Sequence, residues 1–396
     1  MTDTARDWAR SGVLPLTGHR SGSPMMPPGS AASWAARMAD HIAAATRGSR
    51  HPVLVDGARL LAERAALTGG TRRGSTSVGG SCRLLPTLDG WAAVSVARTD
   101  DPLLWSALIG QELDDRFPER LEAWLASHTG GELDERVELI GLAGGSVRTE
   151  APRGAQLAPL GRPRSVEGSL VVDFSALWAG PLCANLLGLA GAEVVKVETP
   201  ARPDGARHGN PAFYDLLHGG HRSVVLDPDD AAGRAALQAL VRRADFVIES
   251  SRPRALARFG LDAAAEVARG CVWASITAAG RSSQRVGFGD DVAAVTGLVA
   301  QDATGIPVFC GDAIADPLTG LAAAALVFSE PTDGGGVLWD VAMADVVAAT
   351  LVDGIDGADL DGVPIELPTA RTPTCEASPS GSDTAAVLNR LGISVP

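Results

Sequence analysis

Lysine is almost missing from this chain: Lys196 is the only one in 396 residues, and arginine carries nearly all the positive charge. Aromatics are also scarce, at 4%, so a core has to be built mainly from Ala, Val and Leu. Long apolar runs are absent too. The longest, residues 321–328, is far too short to span a bilayer, and the opening MTDTARDWAR has no apolar signal core. Cysteines are few and scattered (Cys82, Cys183, Cys271, Cys310, Cys375), with no CxxC pair. This speaks against a zinc site or a disulfide framework, and the expectation is buried free thiols in a reducing, cytoplasmic compartment. Excess positive charge is lacking as well: the net charge of -13 argues against nucleic acid or an anionic membrane as partner. An anionic substrate then needs a local basic patch. No GxGxxG follows a strand, because the first strand-to-helix turn reads WAGPLC, which argues against NAD. There is no P-loop, GxSxG or HExxH, and the seven histidines have no metal spacing.

What is present is a regular alternation. From residue 168 to 280 the chain reads SLVVDFS (strand), PLCANLLGLAG (helix), EVVKVE and SVVLD (strands), a helix over 231–243, DFVIES (strand), a helix near 262–268 and CVWASIT (strand). Short apolar runs separated by helices predict a parallel sheet covered on both faces. The fold class expected is α/β: a Rossmann-like doubly wound parallel large domain over 167–352, plus a small α/β domain over 71–150. Residues 151–166, rich in Pro and Arg, read as a linker, and 353–396 as a C-terminal tail. An internal repeat is also visible: the stretch from Trp8 parallels that from Ala293, setting Ser11-Gly12-Val13 on Thr296-Gly297-Leu298 and Ser33 on Asp316. Residues 1–70 therefore read as a degenerate copy of the 293–328 region, packed with the large domain.

Several segments resemble family III CoA-transferases, the group of formyl-CoA transferase, carnitine CoA-transferase and α-methylacyl-CoA racemase. VVDFSALWAGPLCANLLGLAGAEVVKVETP is similar to the family's opening, GGHRSVVLD to its second signature and ESSRPRALARFGLD to its third. GDAIADPLTGLAAAALVF resembles the segment bearing the catalytic aspartate, which falls on Asp316, and GSDTAAVLNRLGI the C-terminal motif. DGWAAVSVARTDDPLLWSAL (89–108) and ERLEAWLASHTGGELDERVELIGL (119–142) resemble the family's small domain, which normally follows the catalytic part. The order here is that of a permuted or half-duplicated member. Gly79-Gly80 resembles the glycine-rich loop over the active site.

The resemblance implies CoA transfer between an acyl-CoA and a carboxylic acid, with Asp316 as the acyl-carrying nucleophile and no tightly bound cofactor. It implies coenzyme A as substrate, a cytoplasmic enzyme, and an interlocked homodimer without nucleic acid or membrane partners. A carboxylate of ordinary pKa, about 3.9, needs no separate base at neutral pH. It does need water excluded and N–H donors for the oxyanion, which Gly79 and Gly80 would suit. Asp316 followed by Pro also reads simply as a helix N-cap. CoA-contacting positions carried over by the resemblance are Trp178, Ala179, Leu226, Ser250, Ser251, Arg258 and Arg207, with Arg222, Arg252 and Arg254 nearby; Arg clamps suit phosphates. Trp178 and Phe288 are expected in the substrate pocket. Trp178 stands where formyl-CoA transferases have glutamine, and Phe288 where racemases have their histidine, so neither specificity is expected. Ser250-Ser251, Thr199 and Asp229 also depart from the family pattern. Asp290-Asp291 reads as an exposed acidic turn. The alternatives are an inactive scaffold or regulatory subunit of the same fold, and other acyl-CoA chemistry such as isomerisation or hydrolysis.

Overall fold

A computed structural model describes residues 3–148, 158–251, 253–331, 334–351 and 363–396. Residues 151–157 of the expected linker and 353–362 of the expected tail fall outside them. The strands are β1 (Cys82–Pro86), β2 (Trp91–Ser95), β3 (Gly144–Ser146), β4 (Leu170–Asp173), β5 (Glu193–Glu198), β6 (Arg222–Val225), β7 (Phe246–Glu249), β8 (Val272–Thr277), β9 (Val299–Gln301), β10 (Pro307–Phe309) and β11 (Val337–Ala342). Six of them form one parallel sheet in the order β11-β8-β7-β4-β5-β6. The chain moves outward one way from β4 through β5 to β6, then restarts beside β4 with β7. This is the doubly wound α/β arrangement, with its topological switch between β4 and β7.

Because both sheet faces are buried, side-chain alternation divides the strands between two cores. Val171, Val194, Ile248 and Ala274 face one core, with the helices Ala179–Leu189, Ala315–Val327 and Met343–Thr350. Leu170, Val172, Val195 and Val247 face the other, under Ala231–Arg243, Ala263–Ala268 and Thr384–Arg390. The 231–243 helix falls where the sequence reading puts it, with Asp230 capping its start by accepting the Gly233 N–H at 2.8 Å. Helices Ala179–Leu189 and Ala315–Val327 approach closely because Gly320 lies against the Ala179 carbonyl; a Cβ there would sit 2.5 Å from that oxygen.

Residues from the first seventy enter the first of these cores: Trp8, Leu14, Ala35, Ile42, Leu61 and Ala65 pack with Leu318 and Val347. The helix pair Asp3–Arg10 and Ala31–Ala45 has the same outline as Gly289–Thr296 and Ala315–Val327. In both pairs the first helix is followed by a left-handed glycine, Gly12 (φ 76°) or Gly297 (φ 108°). Ser33 donates to Asp7 at 2.6 Å in the first pair.

The antiparallel sheet β1-β2-β3 buries one face against helices Asp101–Ile109, Phe117–Ser127 and Gly130–Ile140, around Trp105, Leu125 and Val137. Its other face (Cys82, Leu84, Ala93) packs on Ala294, Val299 and Phe309. That contact carries the loop preceding β1, with Gly79 and Gly80, onto the start of the 289–296 helix. Four of the five cysteines are buried free thiols, but Cys375 is exposed, a departure from the expected burial. Among the described residues no helix is long and apolar enough to cross a membrane.

Candidate active site

The site is built at the start of helix Ala315–Val327. Ala313 is held in the left-handed region (φ 46°), unusual without glycine. Its N–H donates to Asp290 Oδ1 at 2.8 Å, and its carbonyl accepts the Asp316 N–H at 2.9 Å. That extra turn makes Ile314 the N-cap, so Asp316 is the second helical residue and not the cap the Asp-Pro pair suggests. The first turn still sets its carboxylate among unpaired helix N–H groups, which favour an anion. The Gly289 N–H also bonds the Asp316 carboxylate. A Cβ at 289 would lie 2.3 Å from the Ala313 carbonyl and 2.6 Å from Asp316 Oδ2, so only glycine permits this approach.

Asp316 keeps some solvent exposure, while the carboxylates beneath it have almost none: Asp290 is 6% exposed, Asp291 1% and Asp312 1%. The acidic turn expected to be solvated is therefore buried, between the small sheet and the Asp316 helix. Burial pushes Asp316 up to about 7; Arg64 opposes the shift and Asp290 adds to it. Burial likewise raises Asp290 to about 6, with Asp312 adding and Arg64 opposing. Asp291 rises to about 8, again chiefly by burial, although its Oδ1 accepts the Phe288 N–H at 2.9 Å. Among the described residues these carboxylates do not form a metal-holding group.

Arg64, on the short helix Glu63–Thr68, is the cation acting on both Asp290 and Asp316. Burial disfavours its charge, but two bonds to Asp312 more than offset that and raise its pKa. Nε donates to Asp312 Oδ2 at 2.9 Å and Nη2 to Oδ1. The guanidinium carbon lies 5.1 Å from the Trp178 ring centroid, and Trp178 meets Phe213 edge-on at 5.2 Å. Arg64 lies in no motif, and Asp312, though within GDAIADPLTGLAAAALVF, is not the residue that segment singles out. Their pairing across 248 positions gives no local signal, and sequence reasoning missed both.

Around Arg64 the fold gathers several expected residues. A methyl on Gly79 would come within 3.4 Å of Arg64 Nη2, and Gly80 adopts φ 82° beside Arg73. Ser77, in the same loop, bonds Asp290. Trp178 stacks on Arg64, Ala179 begins the helix packed on that of Asp316, and partly exposed Phe288 precedes Gly289.

The remaining candidate CoA positions lie elsewhere, toward the carboxyl edge of the large sheet. Ser250 follows β7 at the switch point and accepts the Ala176 N–H at 3.2 Å; Ser251 is partly exposed and Arg258 exposed. Three expectations need correction. The side chains of Leu226 and Trp178 are each 1% exposed and packed in the cores, so neither side chain offers a surface to a ligand. Arg207 is bound internally, by Glu198 through Nε (2.9 Å) and Nη2 (2.6 Å), and stacks over Tyr214, so it is not a free phosphate clamp. Arg222 is exposed and pairs with Asp383. Arg252 and the Arg254 side chain fall outside the described residues.

Residues 166–356 match the family model described as CoA-transferase family III. Over 218 residues the chain is 27% identical to a succinyl-CoA–D-citramalate CoA-transferase of Chloroflexus aurantiacus, covering 50% of this chain and 54% of that protein. It is 30% identical over 216 residues to a succinate–glutarate CoA-transferase of Agrobacterium fabrum, covering 48% and 54%. The crystal structure of a CAIB/BAIF family protein from Brucella suis is similar with TM-score 0.44 and 27% identity, over 48% of this chain and 56% of that one. The chain thus spans about half the length of the curated relatives it matches. Residues 166–356, the stretch similar to family III CoA-transferases, carry the large sheet and Asp316.

Proposed function

We propose that the protein transfers CoA between an acyl-CoA and a free carboxylic acid through covalent chemistry at Asp316. The observation that carries this is Asp316 itself: a carboxylate raised to about 7, at a helix N-terminus, in a family III segment. A pKa near neutrality leaves a sizeable ionised fraction while strengthening the nucleophile. Asp316 attacks the thioester carbonyl, and CoA leaves as thiolate from a mixed anhydride. The thiolate attacks the Asp316 carbonyl carbon, releasing the first acid and leaving an enzyme–CoA thioester. The incoming carboxylate displaces the thiolate, and the thiolate returns to the new acyl group, restoring Asp316. Each step exchanges one anion for another, so no proton has to move.

The carboxyl edge at the β4/β7 switch, where Ser250 meets Ala176, is the proposed seat of the CoA nucleotide, since doubly wound sheets bind ligands there. The names of the relatives make succinate and glutarate the first acids to try. A homodimer, and a reducing cytoplasm suited to four buried thiols, complete the reading. Racemisation needs a second acid/base touching the substrate. Phe288 supplies none, and Asp291 is 1% exposed beneath it.

A second reading, an inactive member of the fold, is favoured by the internal pairing of Arg207 with Glu198. Product analysis decides between them. Incubation of acetyl-, propionyl-, succinyl- or benzoyl-CoA with succinate, glutarate or formate should yield a new acyl-CoA. Free CoA and acid alone would indicate a hydrolase, and no CoA binding by calorimetry would indicate the inactive reading.

A further inference from the structure

We propose that Arg64 receives the free carboxylate of the acid substrate, on the edge of its guanidinium that Asp312 leaves open. This rests on the transferase reading above. Transfer has to bring a carboxylate into a site already holding Asp290, Asp291, Asp312 and Asp316, and like charges at close range repel strongly where water is scarce. Arg64 is the cation positioned to offset that repulsion, because it acts on both Asp290 and Asp316.

A guanidinium can bond carboxylates in parallel on two edges, Nε with Nη2 and Nη1 with Nη2. Asp312 occupies the first. Among the described residues no hydrogen bond uses Nη1, and the side chain is 27% exposed, so the second edge is available from solvent. Three features fix that edge in place. Trp178 lies over the guanidinium. Gly79 approaches Nη2 without a side chain to fill the space. Glu63, only 2% exposed, accepts from Arg371 N, Nε and Nη2 at 3.0, 2.8 and 2.9 Å, which anchors the short helix bearing Arg64. A lysine, with one point charge, could not serve Asp312 and a substrate together. The bound acid presents an oxygen to the Asp316 carbonyl of the enzyme–CoA thioester. A C–O bond forms, the C–S bond breaks, and thiolate leaves with the electron pair.

The test separates the two halves of the reaction. Labelling of Asp316 is followed by mass spectrometry with a donor acyl-CoA, and the KM for glutarate or succinate by steady-state assay. In Arg64→Gln the acid KM should rise by about 30- to 100-fold, at least several-fold more than the labelling rate falls. Arg64→Lys should recover labelling better than it recovers the acid KM. Because Arg64→Gln leaves Asp312 buried without its partner, the neutral pair Arg64→Gln/Asp312→Asn serves as a second variant and should show the same split. An unchanged acid KM, or equal losses in both halves, would overturn the assignment. Wild-type protein that cannot be labelled by any donor would remove the transferase reading instead.

Discussion

Two buried polar clusters flank the closely packed helices Ala179–Leu189 and Ala315–Val327, and they treat charge oppositely. Around Asp316, four carboxylates face Arg64, with Arg285 a lesser influence on Asp291, and the three shifted carboxyls are raised. Around Lys196, three carboxylates (Asp173, Asp204, Glu198) meet two cations, Lys196 and Arg207. Burial there raises Asp173, whereas Asp204 and Glu198 are held low by their cations despite burial. Each cluster also pins a strained residue: Asp290 takes the N–H of Ala313 (φ 46°), and Asp204 Oδ1 takes that of Leu177 (φ 69°) at 3.0 Å. Such non-glycine conformations cost about 1–3 kcal/mol and persist only where the surroundings fix them. The nearly balanced cluster is built for stability. The unbalanced one stores repulsion beside a partly exposed carboxylate, as a reactive site does.

The first way to break this comparison is Asp316→Asn. Activity should fall by about 10³-fold or more, while the thermal midpoint stays level or rises, because one buried negative charge leaves a repulsive group. The opposite outcome is expected for Lys196→Met, which strands Asp173 and Asp204. Denaturant titration should show a loss of about 3–5 kcal/mol. Gly289→Ala forces a methyl against the Ala313 carbonyl and should cost about 1–3 kcal/mol and most of the activity.

The two clusters should also answer pH with opposite signs. Asp290, Asp291 and Asp316 are raised in the folded protein to about 6, 8 and 7, so their contribution to stability is present at acid pH and is lost as pH rises from about 4 toward 8. His218 and His221, beside Lys196, are held neutral by burial, His221 down to about 3. Their contribution is present above the unfolded value of about 6.5 and is lost as pH falls below it. Thermal midpoints measured across pH should show both limbs, and His218→Asn/His221→Asn should flatten the acid one. The smallest effect is expected from Asp290→Asn. The amide oxygen can still accept the Ala313 N–H, but the loss of charge should move the pH midpoint of Asp316 labelling below 7, by on the order of one unit.

Much of the fold was legible because it is written locally. Short apolar strands such as EVVKVE, and the Asp230-capped helix over 231–243, declare a covered parallel sheet. Asp316 is singled out by its surrounding motif, but its place in the helix is not: the left-handed Ala313 moves the cap to Ile314. Asp290-Asp291 reads differently from the sequence because adjacent carboxylates are normally solvated, and only the docking of the small sheet and the Asp316 helix buries them. Arg64 and Asp312 were invisible because a single residue on a six-residue helix has meaning only beside its distant partner. Leu226 and Arg207 were carried over by position alone, and the packing and Glu198 that occupy them cannot be read from the motif.

The central claim is tested most directly by intact-protein mass spectrometry after mixing with the acyl-CoA panel, with hydroxylamine added to trap activated carboxyls. The account predicts an acyl or CoA adduct, converted to a hydroxamate at Asp316, that forms faster as pH rises through about 7 and is absent in Asp316→Asn. An adduct that survives in Asp316→Asn, or no adduct from any donor despite CoA binding, would contradict it.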